Sequence, residues 1–344
     1  MSLITNTIFT KLDDNVREYN RKALLLGKGL YQTNPIVQTL QVQAANAGWG
    51  NVSGIITSLG TSSYARVSKG IPNTKTSVLD QEDKVEILVR RITIPNLLAM
   101  GMKEKGAKLE QEVRTHRQGL NIDMTKDFLY GNPLTNIDQM LGLAQKMNSL
   151  TALTTVVGTY TGSGTGSSLT SAYIITNGFE DLYGVYPEPG EGAPNAAAWN
   201  SGVSYVIRGD QPITDPTSGS NTFYGEIHEL MWGLAFTILN QRTQARLCNL
   251  PTSGLKVNPT IGTDLAIDDE LGHTMMQMQN FNSGFRQVFM NRYILDYYTR
   301  QCKNRGNLLL NTMELEGFSN PFTTINGHNI QMVEQISNAE TQVS

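Results

Sequence analysis

The sequence predicts an α+β protein with an extended first part, a long central helix and a mixed remainder. Three observations carry this. Short β-prone runs separated by glycines fill residues 48–95, the last of them reading KVEILVRRITI. An apolar face repeats at helical spacing over residues 103–130. Helix-like and strand-like stretches alternate in the last hundred residues. With 344 residues, 39% of them hydrophobic, the chain can form one elaborated fold or two domains with extensions.

Residues 1–47 are polar and mixed. Leu24-Leu25-Leu26 is their one dense apolar cluster, and Gly27, Gly29 and Asn34-Pro35 interrupt any long helix. An extended arm with short helical pieces is expected there. In 48–95, Gly48, Gly50, Gly54, Gly60 and Gly70-Ile71-Pro72-Asn73 punctuate the runs Ile55–Thr57, Tyr64–Val67 and Lys84–Ile94. The last run stops at Pro95, as an edge strand can. The stretch reads as a long two-stranded excursion. Its tip, Gly60 to Lys75, carries the cations Arg66, Lys69 and Lys75 but only Tyr64, Val67 and Ile71 as larger apolar groups. Such a tip cannot bury itself, so it must either be disordered or lie on another molecule, with Tyr64, Arg66, Lys69 and Lys75 as the expected contacts in the second case.

The clearest helix covers residues 103–130. Leu109, Val113, His116, Leu120, Met124 and Phe128 recur three or four positions apart, while Lys105, Glu110, Glu112, Arg114, Arg117 and Asp123 occupy the other faces. Leu109, Val113, Leu120, Met124 and Phe128 are the expected core positions. At ~1.5 Å per residue the helix would be on the order of 40 Å long. Gly119 weakens its middle, and Gly131-Asn132-Pro133 stops it.

From Met147 to Phe179 no residue is charged, and Gly158 to Ser171 reads as a flexible loop. Ala172–Thr176 and Leu182–Tyr186 read as strands around an Asn177-Gly178 turn. Residues 187–224 are rich in Gly, Pro and Asn and read as a long surface loop, while 225–250 favour long strands. Asp264–Met278 reads as a helix opened by Asp268-Asp269-Glu270. Gln287–Met290 follows as a buried strand, Arg292–Cys302 as a helix and 308–333 as mixed strands.

Several kinds of chemistry find no support. His116, His228, His273 and His328 lie outside ligand spacing of one another, and neither HExxH nor CxxC occurs. Gly162-Ser163-Gly164-Thr165-Gly166 lacks the ending of a phosphate loop, and no GxSxG elbow exists. Cys248 and Cys302 read as small buried residues in a reducing compartment. Pairs such as Glu188/Glu191 and Glu226/Glu229 are ordinary on solvated faces. The start, MSLITNTIFTKLDDN, shows no export pattern, and no apolar run is long enough for a membrane helix. Charged residues make up 17% of the chain, below the usual share of about a quarter, which fits a neutral surface that partners cover and equally a Ser/Thr/Asn-rich protein. A net charge of −3 argues against a dedicated nucleic-acid binder.

Local sequence adds a resemblance. Gln32-Thr33-Asn34-Pro35-Ile36, Lys69-Gly70-Ile71-Pro72 with Lys75-Thr76-Ser77, and Phe128-Leu129-Tyr130-Gly131-Asn132 with Gly142-Leu143 stand in that order. Leu182–Pro187, Gly233-Leu234-Ala235, Arg246–Asn249, Val288–Arg292 and Asn338–Val343 follow. In this colinear order the chain resembles the major capsid proteins of short-tailed bacteriophages, which have the HK97-like capsid fold. The resemblance implies an N-terminal arm (1–47), an extended β-hairpin or E-loop (48–95), and a spine helix with the start of a peripheral (P) domain (96–150). A β-rich continuation of the P domain (151–255) and an axial (A) domain-like segment (256–344) would follow. It also implies a structural protein, not an enzyme, that self-assembles as pentamers and hexamers into an icosahedral head around double-stranded DNA. Assembly would occur in the host cytoplasm, with no cofactor and no membrane. Scaffolding, portal and decoration proteins, and non-specific contact with packaged DNA, are the further partners it allows. No residue triplet for a lysine–asparagine crosslink can be carried over. An encapsulin-like cargo shell and a phage tail or receptor-binding protein are the alternatives, with an enzyme last.

Overall fold

A computed structural model describes residues 34–58, 62, 75, 77–96, 105–150, 156–159, 168–187, 202–214, 222–260, 264–279, 285–304, 312–313, 322–325 and 328–344. Along the chain run β1 (Val42–Ala44), β2 (Gly50–Ser58), β3 (Ser77–Lys84), β4 (Glu86–Pro95) and the helix α1 (Lys105–Tyr130). After the short α2 (Leu143–Lys146) come β5 (Val156–Thr159), β6 (Leu169–Asn177), β7 (Leu182–Tyr186), β8 (Val203–Thr214), β9 (Thr222–Ile238) and β10 (Ala245–Pro251). The remainder holds α3 (Ile267–Gln277), β11 (Phe285–Met290), α4 (Arg292–Asn304), β12 (Thr312–Met313), β13 (Phe322–Ile325) and β14 (His328–Met332).

The 17-residue strand β9 organises the sheet. Its first part lies between β4, paired antiparallel from Glu86↔Leu234 to Pro95↔Gly225, and β8, paired from Val203↔Trp232 to Thr214↔Thr222. Its last residues pair with β7, from Val185↔Ala235 to Leu182↔Ile238. β1 adds in parallel to the other edge of β7. β6 is buried along all nine residues because it is enclosed by β10 and β11, both antiparallel to it. That environment explains its unbroken apolar and small-polar run. β5 extends the sheet from β10, and β14, β13 and β12 extend it from β11.

Two main cores result. The larger packs α1 and α2 against β4, β7, β8 and β9, around Phe128, Trp232 and Phe236. The second packs α3 and α4 against β6, β10, β11 and β14, around Ile174, Leu247, Leu271 and Ile294. β10 ends at Pro251, near the expected boundary at 255, yet β6 beside it pairs with β11 beyond that boundary.

The burial of α1 is graded. Leu120, Met124 and Phe128 are buried, whereas Leu109 and Val113 are half-buried against the same core. Gly119 sits mid-helix because Arg90 of β4 lies across it, where a Cβ would come within 2.6 Å of the guanidinium carbon. Arg90 can then reach Asp123 one turn on. Met124→Ala should therefore cost about 2–5 kcal/mol, as large-to-small changes in a packed core do, and Val113→Ala distinctly less. Urea unfolding of the two variants checks this, and equal losses would contradict the graded burial.

Four expectations need correction. Lys84–Ile94 is not one strand: Lys84 ends β3, buried Val85 intervenes, and Glu86 opens β4 on β9. The excursion is thus the β2–β3 hairpin and ends at Lys84, short of 95. Residues 187–224 are not all loop, since β8 lies within them as an edge strand that tolerates Pro212. The expected loop over Gly158–Ser171 gives way to strand at both ends, in β5 and β6. Gly178 does stand in a turn, yet β6 and β7 meet in parallel at Asn177↔Leu182, so the turn closes no hairpin.

Candidate functional site: the rooted hairpin and its surroundings

β2 and β3 pair antiparallel from Gly50↔Lys84 outward to Ser58↔Ser77. Among the described residues they form a two-stranded sheet of their own. On β3, Ser77, Val78, Leu79, Asp80 and Glu82 are exposed, so apolar side chains stand in solvent on both sides of the ribbon. This is why SVLDQEDK shows no alternation of apolar and polar residues and gives no strand signal. A bare two-stranded ribbon is marginal in water. Lys75 is exposed at its outer end, while Tyr64, Arg66 and Lys69 lie outside the described residues.

The root of the ribbon is held by buried polar contacts. Asn51 donates from Nδ2 to Tyr183 Oη and Thr237 Oγ1, each at 3.0 Å. Across the ribbon, Asp83 accepts from Lys146 Nζ of α2 at 2.7 Å, both side chains being over nine-tenths buried. Burial pulls the Lys146 ammonium below its ordinary pKa, and the Asp83 carboxylate acts in the opposite direction. The same ammonium sits 4.7 Å above the Phe236 ring. Val85 closes the root by packing with Ala45, Tyr183, Val185 and Ala235.

Beside the root lies a cleft of about 450 Å³ between β4, the end of α1 and the loop after it, lined by Glu86, Asp123, Lys126, Asp127 and Asp138 among others. Glu86 Oε2 accepts the Met140 amide at 3.0 Å. Burial, followed by the Asp127 hydrogen bond and charge, pushes the Glu86 carboxyl up to about 8. The loop is well fixed. Asn132 Oδ1 and Asn136 Oδ1 accept the amides of Leu134 and Asp138, and Lys84 Nζ donates to the Ile137 carbonyl. Gly131 and Gly142 approach so closely that a Cβ on Gly142 would lie 2.5 Å from the Gly131 nitrogen. This loop presents Leu134 at 95% and Ile137 at 75% exposure.

The C-terminal segment is tied into the body separately. Arg246 of β10 donates to Glu340 Oε2 at 2.9 Å, to Ser171 Oγ at 3.0 Å and to the carbonyls of Ala144 and Met147. Tyr130 and Ser171 hydroxyls also donate to Glu340.

Sequence reasoning missed Asn51, Asp83, Glu86, Lys146 and the Arg246–Glu340 pair. Leu134 and Ile137 carried a readable signal, as large apolar residues inside a turn-rich segment. As for chemistry, no group of three or more His, Cys, Asp or Glu among the described residues could hold a metal. Burial pushes the Cys248 thiol up to about 11, which leaves it protonated and unreactive at neutral pH. No described helix is long and apolar enough to cross a membrane.

A long helix on the antiparallel part of a large sheet, two further helices on its mixed part, and a separate two-stranded hairpin make up the HK97-like fold of capsid shell subunits. The chain belongs to the family of the major capsid protein GP7, whose family model matches residues 23–344. It is similar to a chain in the structure of bacteriophage Epsilon15, with a TM-score of 0.62 and 17% identity over 88% of each chain. It is also similar to a chain of the bacteriophage JBD30 capsid, with a TM-score of 0.45 and 8% identity over 88% of this chain and 90% of that one. For the SrpI encapsulin of Synechococcus elongatus the TM-score is 0.44 at 8% identity, covering 66% of this chain and 90% or more (91%) of that one. No curated protein sequence matches the chain.

Proposed function

We propose that this capsid subunit forms the icosahedral shell around double-stranded phage DNA, and that the β2–β3 hairpin is its E-loop, lying across a neighbouring copy. α1 with β4, β8 and β9 would make up the peripheral domain. The sheet around β6 and β11, with α3 and α4, would make up the axial domain. Tyr64, Arg66, Lys69 and Lys75 at the tip would contact the neighbour, with the cations meeting acidic side chains. Assembly in the host cytoplasm, scaffolding, portal and decoration proteins as partners, and the absence of catalysis are part of the same reading. The observation that carries it is a ribbon fixed by buried polar contacts at its root yet exposing Val78 and Leu79 along its length. Burial of these exposed apolar groups against another molecule would supply the energy that the bare ribbon lacks.

Replacing Ser62–Thr74 with a short Gly/Ser turn is expected to leave the circular dichroism nearly unchanged and to abolish closed shells in electron micrographs. Charge reversal at Arg66 and Lys69 should weaken assembly in a salt-dependent way, because exposed ion pairs are screened. A shortened protein that still closes shells of normal size would remove the hairpin as an intersubunit clasp.

A further inference from the structure

We propose that Glu86 and Asp127 share one proton, and that this proton is a latch fastening the start of β4, directly behind the hairpin root, to the end of α1 and to the loop that follows. The geometry points to it atom by atom. Glu86 Oε2 is taken by the Met140 N–H, and Asp127 Oδ1 accepts from Gln139 Nε2 at 2.9 Å. The remaining oxygen, Glu86 Oε1, is buried and receives no N–H or O–H from any other group among the described residues. The Asp127 carboxylate lines the same cleft and lies within hydrogen-bonding reach of the Glu86 carboxyl. Two anions cannot face each other there without a donor. One proton on Oε1 converts the contact into a hydrogen bond from Glu86 to Asp127.

The surrounding charges do not replace that proton. From the hairpin, Lys84 is directed to the Ile137 carbonyl and Asp138, and Asp83 is held by Lys146 of α2. On β4, Arg90 is committed to Asp123 of α1. Lys126 of α1 lines the cleft but is exposed, and Asp138 adds a further negative group. Opposite Glu86 on β9 stands Leu234, which offers no charge.

The sign follows from the raised affinity of the closed site for its proton. Glu86 moves from an ordinary 4.5 to about 8 in the folded subunit. The closed latch is therefore fully favoured below the ordinary value and loses its advantage as pH rises towards the folded one, by up to about ten-fold per pH unit. When it opens, the hairpin root, α1 and the loop bearing Leu134 and Ile137 lose a shared contact. The setting of the hairpin on the body then becomes adjustable. The bearing of this on shell assembly rests on the function proposed above; the latch itself is a property of the subunit.

The test is hydrogen exchange of the full-length protein between pH 5.5 and 8.5, corrected for the intrinsic chemistry of exchange. Peptides containing Met140 and residues 77–86 report the latch. In the wild type their protection is expected to fall ten-fold or more across the range. In Glu86→Gln, whose amide donates to Asp127 and whose oxygen still accepts from Met140, it should stay high and flat. A wild type with flat protection, or a variant that tracks the wild type, would overturn the proposal. Should the variant fold poorly, infrared difference spectra of the wild type against Asp127→Asn decide. A protonated-carboxyl band at neutral pH that shifts on substitution is expected, and its absence refutes the shared proton. Wild-type protein that shows the protection change but never forms shells would contradict the capsid reading and uphold the latch.

Discussion

Replacing Glu340 with alanine is expected to destabilise the subunit by roughly 3–5 kcal/mol, the loss typical of breaking a buried ion pair on one side. The Arg246 and Glu340 side chains are only 4% and 6% exposed. Without Glu340, the guanidinium keeps the neutral acceptors Ser171, Ala144 and Met147 and the face of the Tyr173 ring, and the Tyr130 and Ser171 hydroxyls lose the oxygen they donate to. The penalty is the stranded charge and not the worth of the pair. Arg246→Met combined with Glu340→Leu should therefore recover most of the loss, because it removes both charges and fills the space. Urea unfolding of the two variants is the measurement. A Glu340→Ala loss below about 1 kcal/mol, within the range of an exposed pair, would show that the network is not insulated from water.

Lys146→Met should be comparably severe, roughly 3 kcal/mol or more, for the same physical reason in mirror image: it strands the Asp83 carboxylate in the hairpin root. Asp83 would keep the Gln81 amide but lose its counter-charge. This loss has a location. Hydrogen exchange should accelerate in β2 and β3 well before it does in β6, which is enclosed on both edges. Coupling between Lys146→Met and Asp83→Leu in a double-mutant cycle should be large and favourable. Additive effects would mean that the two residues hold the root independently.

The resemblance to phage capsid proteins was legible because short matching stretches occur in colinear order along most of the chain, and the family model matches residues 23–344. α1 was legible because Leu120, Met124 and Phe128 repeat with the helix. The half-exposure of Leu109 and Val113 was not, because it depends on where β4 and β9 reach along the helix. β3 gave no apolar signal, since its one buried position is the charged Asp83 at the root and its outer residues stand exposed. β8 hid among turn residues, and as an edge strand its glycine and proline cost it little. Asp83 and Lys146 lie 63 residues apart and belong to no local motif. Glu86 and Asp127 read as ordinary charged positions until the fold brings them together. Local spacing thus revealed elements with one buried face, while contacts that depend on long-range packing stayed silent.

The way β9 is shared has a mechanical consequence. Pairing passes from β4 to β7 between Leu234 and Ala235 without a gap, and Trp232, Leu234, Phe236 and Ile238 enter one core. There is no joint in that strand. Tilting one part of the sheet against the other would require twisting a continuous, hydrogen-bonded ribbon through packed side chains, so this body should behave like a leaf spring, bending slightly and recovering. Subunits that meet different local curvature would then accommodate it at their softest attachment, which is the hairpin on its few polar moorings, while the plate that carries it keeps its shape.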